Sequence, residues 1–234
     1  MAALLDAAGV VSGVRVLDAG TGPGFIALEA AGRGALVQAV DQSAAMVGIA
    51  TAAGVDAYES GVQQLPFDDG SFNAVVAGYL LNHLPQPDAA VAEMRRVLVP
   101  GGMLAVTIWD VPEQNPAIGL LGSVCAELGL SADVPPGPDP YRFADEARMR
   151  SLLRAWGDVV VERLRWMIQV EPGAWFDAIA DSTPRSGAVL AQAGSDDRAT
   201  ARQRFTELAN VEYGLPDGRV ALPAGAVLAS ARRT

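Results

Sequence analysis

VLDAGTGPGFIAL, residues 16–28, sets three glycines and a proline between an apolar run and a helical pattern, so the chain turns sharply there with its backbone left bare. Working outward, VRVLDAG (14–20), ALVQAVDQS (35–43), FNAVVAGYL (72–80) and MLAVTIWD (103–110) are short apolar runs that read as strands buried on both faces. Between them lie helical patterns: FIALEAAGRG, AAMVGIATAAG and PDAAVAEMRRVLVPGG, the last with a Pro opening and a Gly-Gly stop. Strand and helix alternate, which predicts an α/β doubly wound parallel sheet with right-handed crossovers. In such sheets ligands bind at the carboxyl ends of the strands.

After Asp110 the texture changes. VPEQNPAIG and SADVPPGPDPYRF are rich in Pro and Gly, the second predicting a surface loop before the helix DEARMRSLLRAWG. DVVVERLRWMIQV (158–170) alternates as a late strand. The helical stretches PGAWFDAIADS and SDDRATARQRFTELAN follow, and GAVLASARRT closes the chain as a final strand. The organisation expected is a single domain over 1–234, with a core at 1–110, later strands and a helical cap at 111–224, and the last strand at 225–234.

The chain has 234 residues, of which 50% are hydrophobic, enough to bury a sizeable core. Its net charge of −10 and pI near 4.5 argue against holding duplex DNA or anionic lipid by charge. Mean hydropathy is +0.23. No apolar run approaches the roughly 18 residues of a spanning helix. MAALLDAAGVVSGVR has no basic region ahead of its apolar part, so it is not read as a secretion signal, and a cytoplasmic protein is expected. One cysteine, Cys125, and one histidine exclude an internal disulfide framework, a zinc cluster and a His-rich metal site.

Dinucleotides, phosphates and S-adenosylmethionine are all held over glycine-rich turns that follow a strand. Gly20, Gly22 and Gly24 form a GxGxG pattern, but a nicotinamide fingerprint wants its third glycine at the place of Phe25. A phosphate loop needs Gly-Lys-Ser/Thr, and no lysine is near. Asp18, at the end of the strand, would repel a pyrophosphate yet can accept from a cationic amino acid, directly or through the loop and water. Asp41, some twenty residues on, suits a pair of ribose hydroxyls. Together these favour S-adenosylmethionine.

VLDAGTGPG, AVDQSAAMVGIA, LPFDDGSFNAVVAGYLLNHLPQP and EMRRVLVPGGMLAVTIWD, over roughly 14–110, resemble the class I S-adenosylmethionine-dependent methyltransferases of the small-molecule group, similar to the ubiquinone and menaquinone C-methyltransferases. AWFDAIADSTPR and GAVLASARR carry a weaker likeness to the tail of actinobacterial members. The resemblance implies a Rossmann-like, seven-stranded, mostly parallel sheet with a helical cap near the C-terminus. It implies that Asp18, Gly20, Thr21, Gly22 and Gly24 line the methionyl and ribose portion of the cofactor. Asp41 would hold the ribose diol beside Gln42, and Met46 would pack on the adenine. SGVQQLPF would border the adenine through the Val62 amide and the Gln63 side chain, and Ala77 and Gly78 would offer a carbonyl to the ammonium. The sequence departs from the pattern at Gly61, where members carry an acid, and at Asn73, where they carry Asp. It also begins only some thirteen residues before the first strand.

For chemistry, His83 in NHLPQP is the sole histidine and follows the fourth strand. It is either a general base for the acceptor or a structural residue of its loop. Tyr79 and Asn82 share that loop and either orient the acceptor or satisfy backbone groups. Trp109, Tyr141, Trp166, Trp175 and Phe176 are candidates for an apolar or aromatic pocket, with Trp109 foremost and others core. The MRR and RQR runs read as solvated helix faces, and Cys125 as a small buried hydrophobe.

The expected activity is transfer of a methyl group from S-adenosylmethionine to an O, N or C atom of a small, apolar or aromatic molecule, with secondary metabolism the expected setting. S-adenosylhomocysteine is the product, and no metal, nucleic acid or membrane takes part. The protein is a monomer or homodimer. The competing readings are a methyltransferase-like cyclase or pericyclase that keeps the methyl, and a non-catalytic sensor of the cofactor.

Overall fold

The computed structural model describes residues 1–133, 137–182 and 184–234. Residues 134–136 of the expected proline-rich loop and Thr183 of the tail motif lie outside them. In chain order the elements are α1 (Ala2–Ala7), β1 (Arg15–Ala19), α2 (Phe25–Gly32), β2 (Leu36–Asp41), α3 (Ala44–Ala52), β3 (Ala57–Glu59), β4 (Phe72–Gly78), α4 (Pro87–Val97) and β5 (Leu98–Trp109). Then follow α5 (Pro116–Glu127), α6 (Glu146–Leu152), β6 (Gly157–Val170), α7 (Pro172–Ser182), α8 (Pro184–Gln192), α9 (Ser195–Tyr213) and β7 (Val220–Arg232).

Among the described residues the sheet has seven strands in the order β3-β2-β1-β4-β5-β7-β6. The pairs within β3-β2-β1-β4-β5 are parallel, and β7 runs antiparallel to β5, Met103 opposite Arg232 and Trp109 opposite Ala226. This is the doubly wound sheet that the alternation predicts, with the seven, mostly parallel strands that the resemblance implies. Parallel strands covered on both faces are mostly apolar, and β1 and β4 follow this at Val16, Leu17, Val75 and Val76, all fully buried, with Asp18 the buried polar exception in β1. The order reverses between β1 and β4, which opens a crevice at their carboxyl ends.

Two boundaries depart from the sequence reading. The last strand begins at Val220, not 225, because Leu222 and Ala224 are buried and extend the alternation backward. The Gly-Gly pair of PDAAVAEMRRVLVPGG does not stop the helix. α4 passes into β5 at Leu98, and Gly101 and Gly102 lie inside the strand, where its register with β4 shifts between Phe72 and Ala74. Gly101 has φ +79°, and a Cβ on Gly102 would stand 2.9 Å from the carbonyl oxygens of Asn73 and Val99. The glycines let the backbone bulge there.

α4 shows how the core is made. It buries Ala90, Val91, Met94 and Val97 on one stripe, with Asp88 in its first turn and Arg95 and Arg96 in its last, as the helix dipole favours. Those arginines are not a free solvated face. Arg96 pairs with Glu93 and Asp69 and donates to the carbonyls of Leu65 and Phe67, while Glu93 accepts from the Leu65 amide at 2.9 Å. Arg95 donates to the Thr234 carbonyl at 2.6 Å. Asn73 joins two strands: its Oδ1 accepts the Arg15 amide at 3.1 Å and ties the start of β1 to β4.

The chain divides into two compact units, and the division falls inside β6 and β7. The first comprises residues 1–109, 137–163 and 226–234, the second 110–136 and 164–225. The second unit has its own core of Leu121, Val124, Phe176, Leu190, Phe205 and Leu222, in which Phe176 meets Phe205 edge-on at 5.6 Å. Phe176 is therefore core, and so is Cys125, 5% exposed, with a thiol pushed up by burial.

Candidate functional site

The three glycines differ in what requires them. All have positive φ: 74° at Gly20, 54° at Gly22 and 94° at Gly24. A Cβ on Gly20 would stand 2.7 Å from Leu80 Cδ1, and one on Gly24 would press on Val55 and Ala50. A Cβ on Gly22 would meet nothing within 4 Å, so only backbone conformation demands a glycine there. The turn hangs from β2 through the amides of Gly20 and Thr21, which both donate to the Val40 carbonyl, at 2.8 and 2.9 Å.

Asp41 ends β2 and points back at that turn. Its Oδ2 accepts the Gly22 amide and its Oδ1 the Ser43 amide, each at 2.9 Å. Two backbone donors thus hold the carboxylate in one orientation, and each oxygen keeps a lone pair for another partner. Ser43 caps α3 by accepting from the Met46 amide, which seats the half-buried Met46 in the first turn of that helix.

Asp18 is fully buried beneath the turn. Its Oδ2 accepts from the Thr21 hydroxyl at 2.7 Å, and its Oδ1 has no hydrogen-bond partner among the described residues. Burial raises the carboxyl to about 6, against the Thr21 hydroxyl and the Ala27 amide, with the Asp41 charge adding to the rise. A buried carboxylate with an orphan oxygen is a site that a cation would relieve.

A cavity of about 270 Å³ opens at the carboxyl ends of these strands. Gly20, Asp41 and Gln42 bound one side, Ser60 and Val62 another, and Gly78, Tyr79, Leu80, His83 and Leu84 the third. It brings together seven residues singled out from sequence: Gly20, Asp41, Gln42, Val62, Gly78, Tyr79 and His83. Asp18, Thr21, Gly22, Gly24, Met46, Gln63 and Ala77 are not among the residues that line it. Thr21 serves Asp18, Gly24 packs on α3, and Ala77 is buried within β4, while Gln63 is exposed on the loop beyond. Ser60, Leu80 and Leu84 were not singled out. The Ser60 hydroxyl donates to the carbonyls of Gly61 and Gln64 and its amide to the Asp41 carbonyl at 2.9 Å, contacts with no signal in the sequence, and two leucines carry no chemical signal there either.

On the third side, Tyr79 has φ 55°, a left-handed conformation that strains a bulky residue. The Tyr79 amide donates to the Thr107 carbonyl at 2.8 Å, and its ring stacks on Trp109, centroids 4.2 Å apart and planes at 26°. Burial pushes the phenol up to about 12, so it stays protonated at neutral pH. A side chain on Gly78 would overlap Ile26, which keeps the β4 backbone bare at the cavity.

His83 ends a 3-10 turn, Leu81–His83, and stays exposed at the rim, yet the protein crowding its ring lowers the imidazole below its ordinary value. It is therefore neutral at pH 7. The buried Asn82 amide lies 3.1 Å from His83 Nε2, and with a neutral ring Nδ2 donates and Nε2 accepts. The arginine of YRF, Arg142, reaches this turn from far along the chain and donates to the carbonyls of Leu81 and Leu84. Among the described residues there is no cluster of three or more His, Cys, Asp or Glu that could hold a metal, and no helix long and apolar enough to cross a membrane.

The methyltransferase domain family matches residues 17–106. The chain is 30% identical over 169 residues to the demethylmenaquinone methyltransferase of Mycolicibacterium vanbaalenii, covering 70% of this chain and 68% of that one. It is 34% identical over 160 residues to the demethylmenaquinone methyltransferase of Beutenbergia cavernae, covering 67% and 65%. The chain thus spans about two thirds of the length of these relatives. The structure of phosphoethanolamine N-methyltransferase 2 of Haemonchus contortus in complex with S-adenosyl-L-methionine superposes with a TM-score of 0.61 at 18% identity, over 100% of this chain and 52% of that one. That likeness is one of fold.

Proposed function

The chain belongs to the class I S-adenosylmethionine-dependent methyltransferases, and we propose that it moves a methyl group to a small acceptor of apolar or aromatic character. S-adenosylmethionine is the cofactor, and when bound it supplies an electrophilic methyl carbon on a sulfonium. The observation that carries the reading is the Asp41 carboxylate, oriented by the Gly22 and Ser43 amides on the wall of a cavity at the switch point of the sheet.

The residues present fit the cofactor. Asp41 retains acceptor capacity for two ribose hydroxyls. The bare turn at Gly22, with nothing where a Cβ would stand, leaves room for a ligand over the backbone, and the Asp18 charge below it suits a cationic amino acid. Val62 and Ser60 suit the adenine side of the cavity, where Gly61 leaves recognition to the backbone.

Methyl transfer is an in-line displacement, so alignment and exclusion of water supply most of the acceleration and no covalent enzyme intermediate is needed. The Tyr79–Trp109 stack offers a flat apolar wall against which an acceptor can be held. His83 is neutral, and its Nε2 can take the proton of an oxygen or carbon acceptor on exchanging the Asn82 amide for it.

Calorimetry with S-adenosylmethionine tests the site, and failure to bind at millimolar ligand sinks it. Turnover with a labelled methyl donor over a panel of quinols, phenols and amines then tests transfer. Tight binding with no labelled product would favour a cyclase or a sensor over a transferase.

A further inference from the structure

We propose that Arg142 is a positioning residue for His83, the cross-chain strut that sets where the imidazole stands at the cavity rim. The inference rests on the reading of His83 as the base.

Arg142 lies between β5 and α6, in the Pro-rich stretch beyond the residues 17–106 that match the family. Its Nη2 donates at 3.0 Å to the carbonyl of Leu81, the first residue of the 3-10 turn, and also to the carbonyl of Leu84, the residue just after it. One guanidinium therefore spans the turn and fixes both ends of the segment that carries Asn82 and His83. Leu81, Asn82 and Leu84 are buried, but the turn's own backbone hydrogen bonds are local, the His83 amide to the Leu80 carbonyl and the Leu84 amide to Leu81.

The arginine is itself held in place. Its guanidinium carbon lies 4.8 Å over the Phe143 ring, its Nε is buried with no hydrogen-bond partner among the described residues, and Asp139 and Asp88 supply opposite charge nearby. A partly buried guanidinium spent on carbonyls rather than on a carboxylate is expensive to maintain at a site of no consequence. Both acceptors are reached from the one Nη2 at the end of a guanidinium whose plane is held against the Phe143 ring.

The single histidine makes the test direct, since His83 gives the only imidazole signals in a proton spectrum of the whole chain. In Arg142→Met the turn should loosen, the His83 resonances should move toward random-coil positions, and the midpoint of their titration should rise toward the ordinary value of about 6.5. Turnover should fall about 10- to 100-fold with S-adenosylmethionine affinity within a few fold. Arg142→Lys should recover part of both effects and guards against a folding failure of the Met variant. His83 resonances and titration unchanged in Arg142→Met, with the cofactor still bound, would overturn the proposal. Moved resonances in Arg142→Met together with wild-type turnover of His83→Ala would support the strut and overturn the base instead.

Discussion

The amide of Gly22 donates to Asp41 Oδ2 at 2.9 Å, so the middle glycine of the turn and the acid at the end of the next strand form one unit across 19 positions of sequence. The glycine supplies a bare N–H from a left-handed residue, and the acid receives an orientation it could not hold in solvent. Removing the acid should therefore do more than delete a ligand contact.

Asp41→Ala should weaken S-adenosylmethionine binding by about 1.5–3 kcal/mol, the scale of hydrogen bonds to a charged group. Asp41→Asn, which can still accept from Gly22, should lose less. Calorimetric dissociation constants check this, and equal affinity for wild type and Asp41→Ala would remove Asp41 from the site.

Asp18 ties stability to pH. Its folded-state value, about 6, lies above the ordinary 3.8, so the protonated form favours folding. That contribution is complete below pH 3.8 and is lost as pH rises through about 6. At pH 7.5 the ligand-free Asp18→Asn protein should be more stable than wild type by about 1–2 kcal/mol, with the difference vanishing near pH 4. Cofactor affinity runs the other way: it should drop for wild type below pH 6 and be weak and flat for Asp18→Asn. Urea titrations across pH decide it; a difference in stability that ignores pH contradicts the assignment.

His83→Ala should cut turnover strongly and leave cofactor affinity within a few fold. Because the imidazole is held below its ordinary value, the neutral base is present at pH 7, and wild-type kcat should fall only as pH drops through that lowered value. Unchanged turnover in the variant would return His83 to a structural role.

The strained Tyr79 and its stack on Trp109 separate ring from hydroxyl. Tyr79→Phe keeps the stack and should hold stability within about 0.5 kcal/mol of wild type. Trp109→Ala removes it and should cost about 2–3 kcal/mol while raising KM for an aromatic acceptor. Loss of turnover in Tyr79→Phe would make the phenol a participant.

In the second unit, Phe176→Ala should cost about 3–5 kcal/mol, as expected for a fully buried ring that also loses its edge-on partner Phe205. A cost below about 1 kcal/mol in chemical denaturation would mean that Phe176 is not where that core is packed.

Much of this was legible in the chain, because the signals are local. Period-two and period-3.6 patterns, a glycine turn after an apolar run, and acids closing two strands need only a few residues each, and they predict the parallel sheet and the crevice. Strand ends were less legible: Gly101 and Gly102 read as a helix stop, yet they make a bulge where the carbonyl of Asn73, on the neighbouring strand, and that of Val99 crowd the backbone.

Sequence alone determined the class of fold, the cofactor, and Asp41 and His83 as the side chains to watch. Tertiary structure alone decided that Asp18 lies beneath the turn rather than on the cavity wall, that Gly22 orients Asp41, that Tyr79 stacks on Trp109, and that Arg142 spans the turn of His83 from 58 and 61 residues away. Contacts at such separations have no period in a sequence. They come into being only when the sheet has brought its strand ends together and burial has made each unpaired polar group costly.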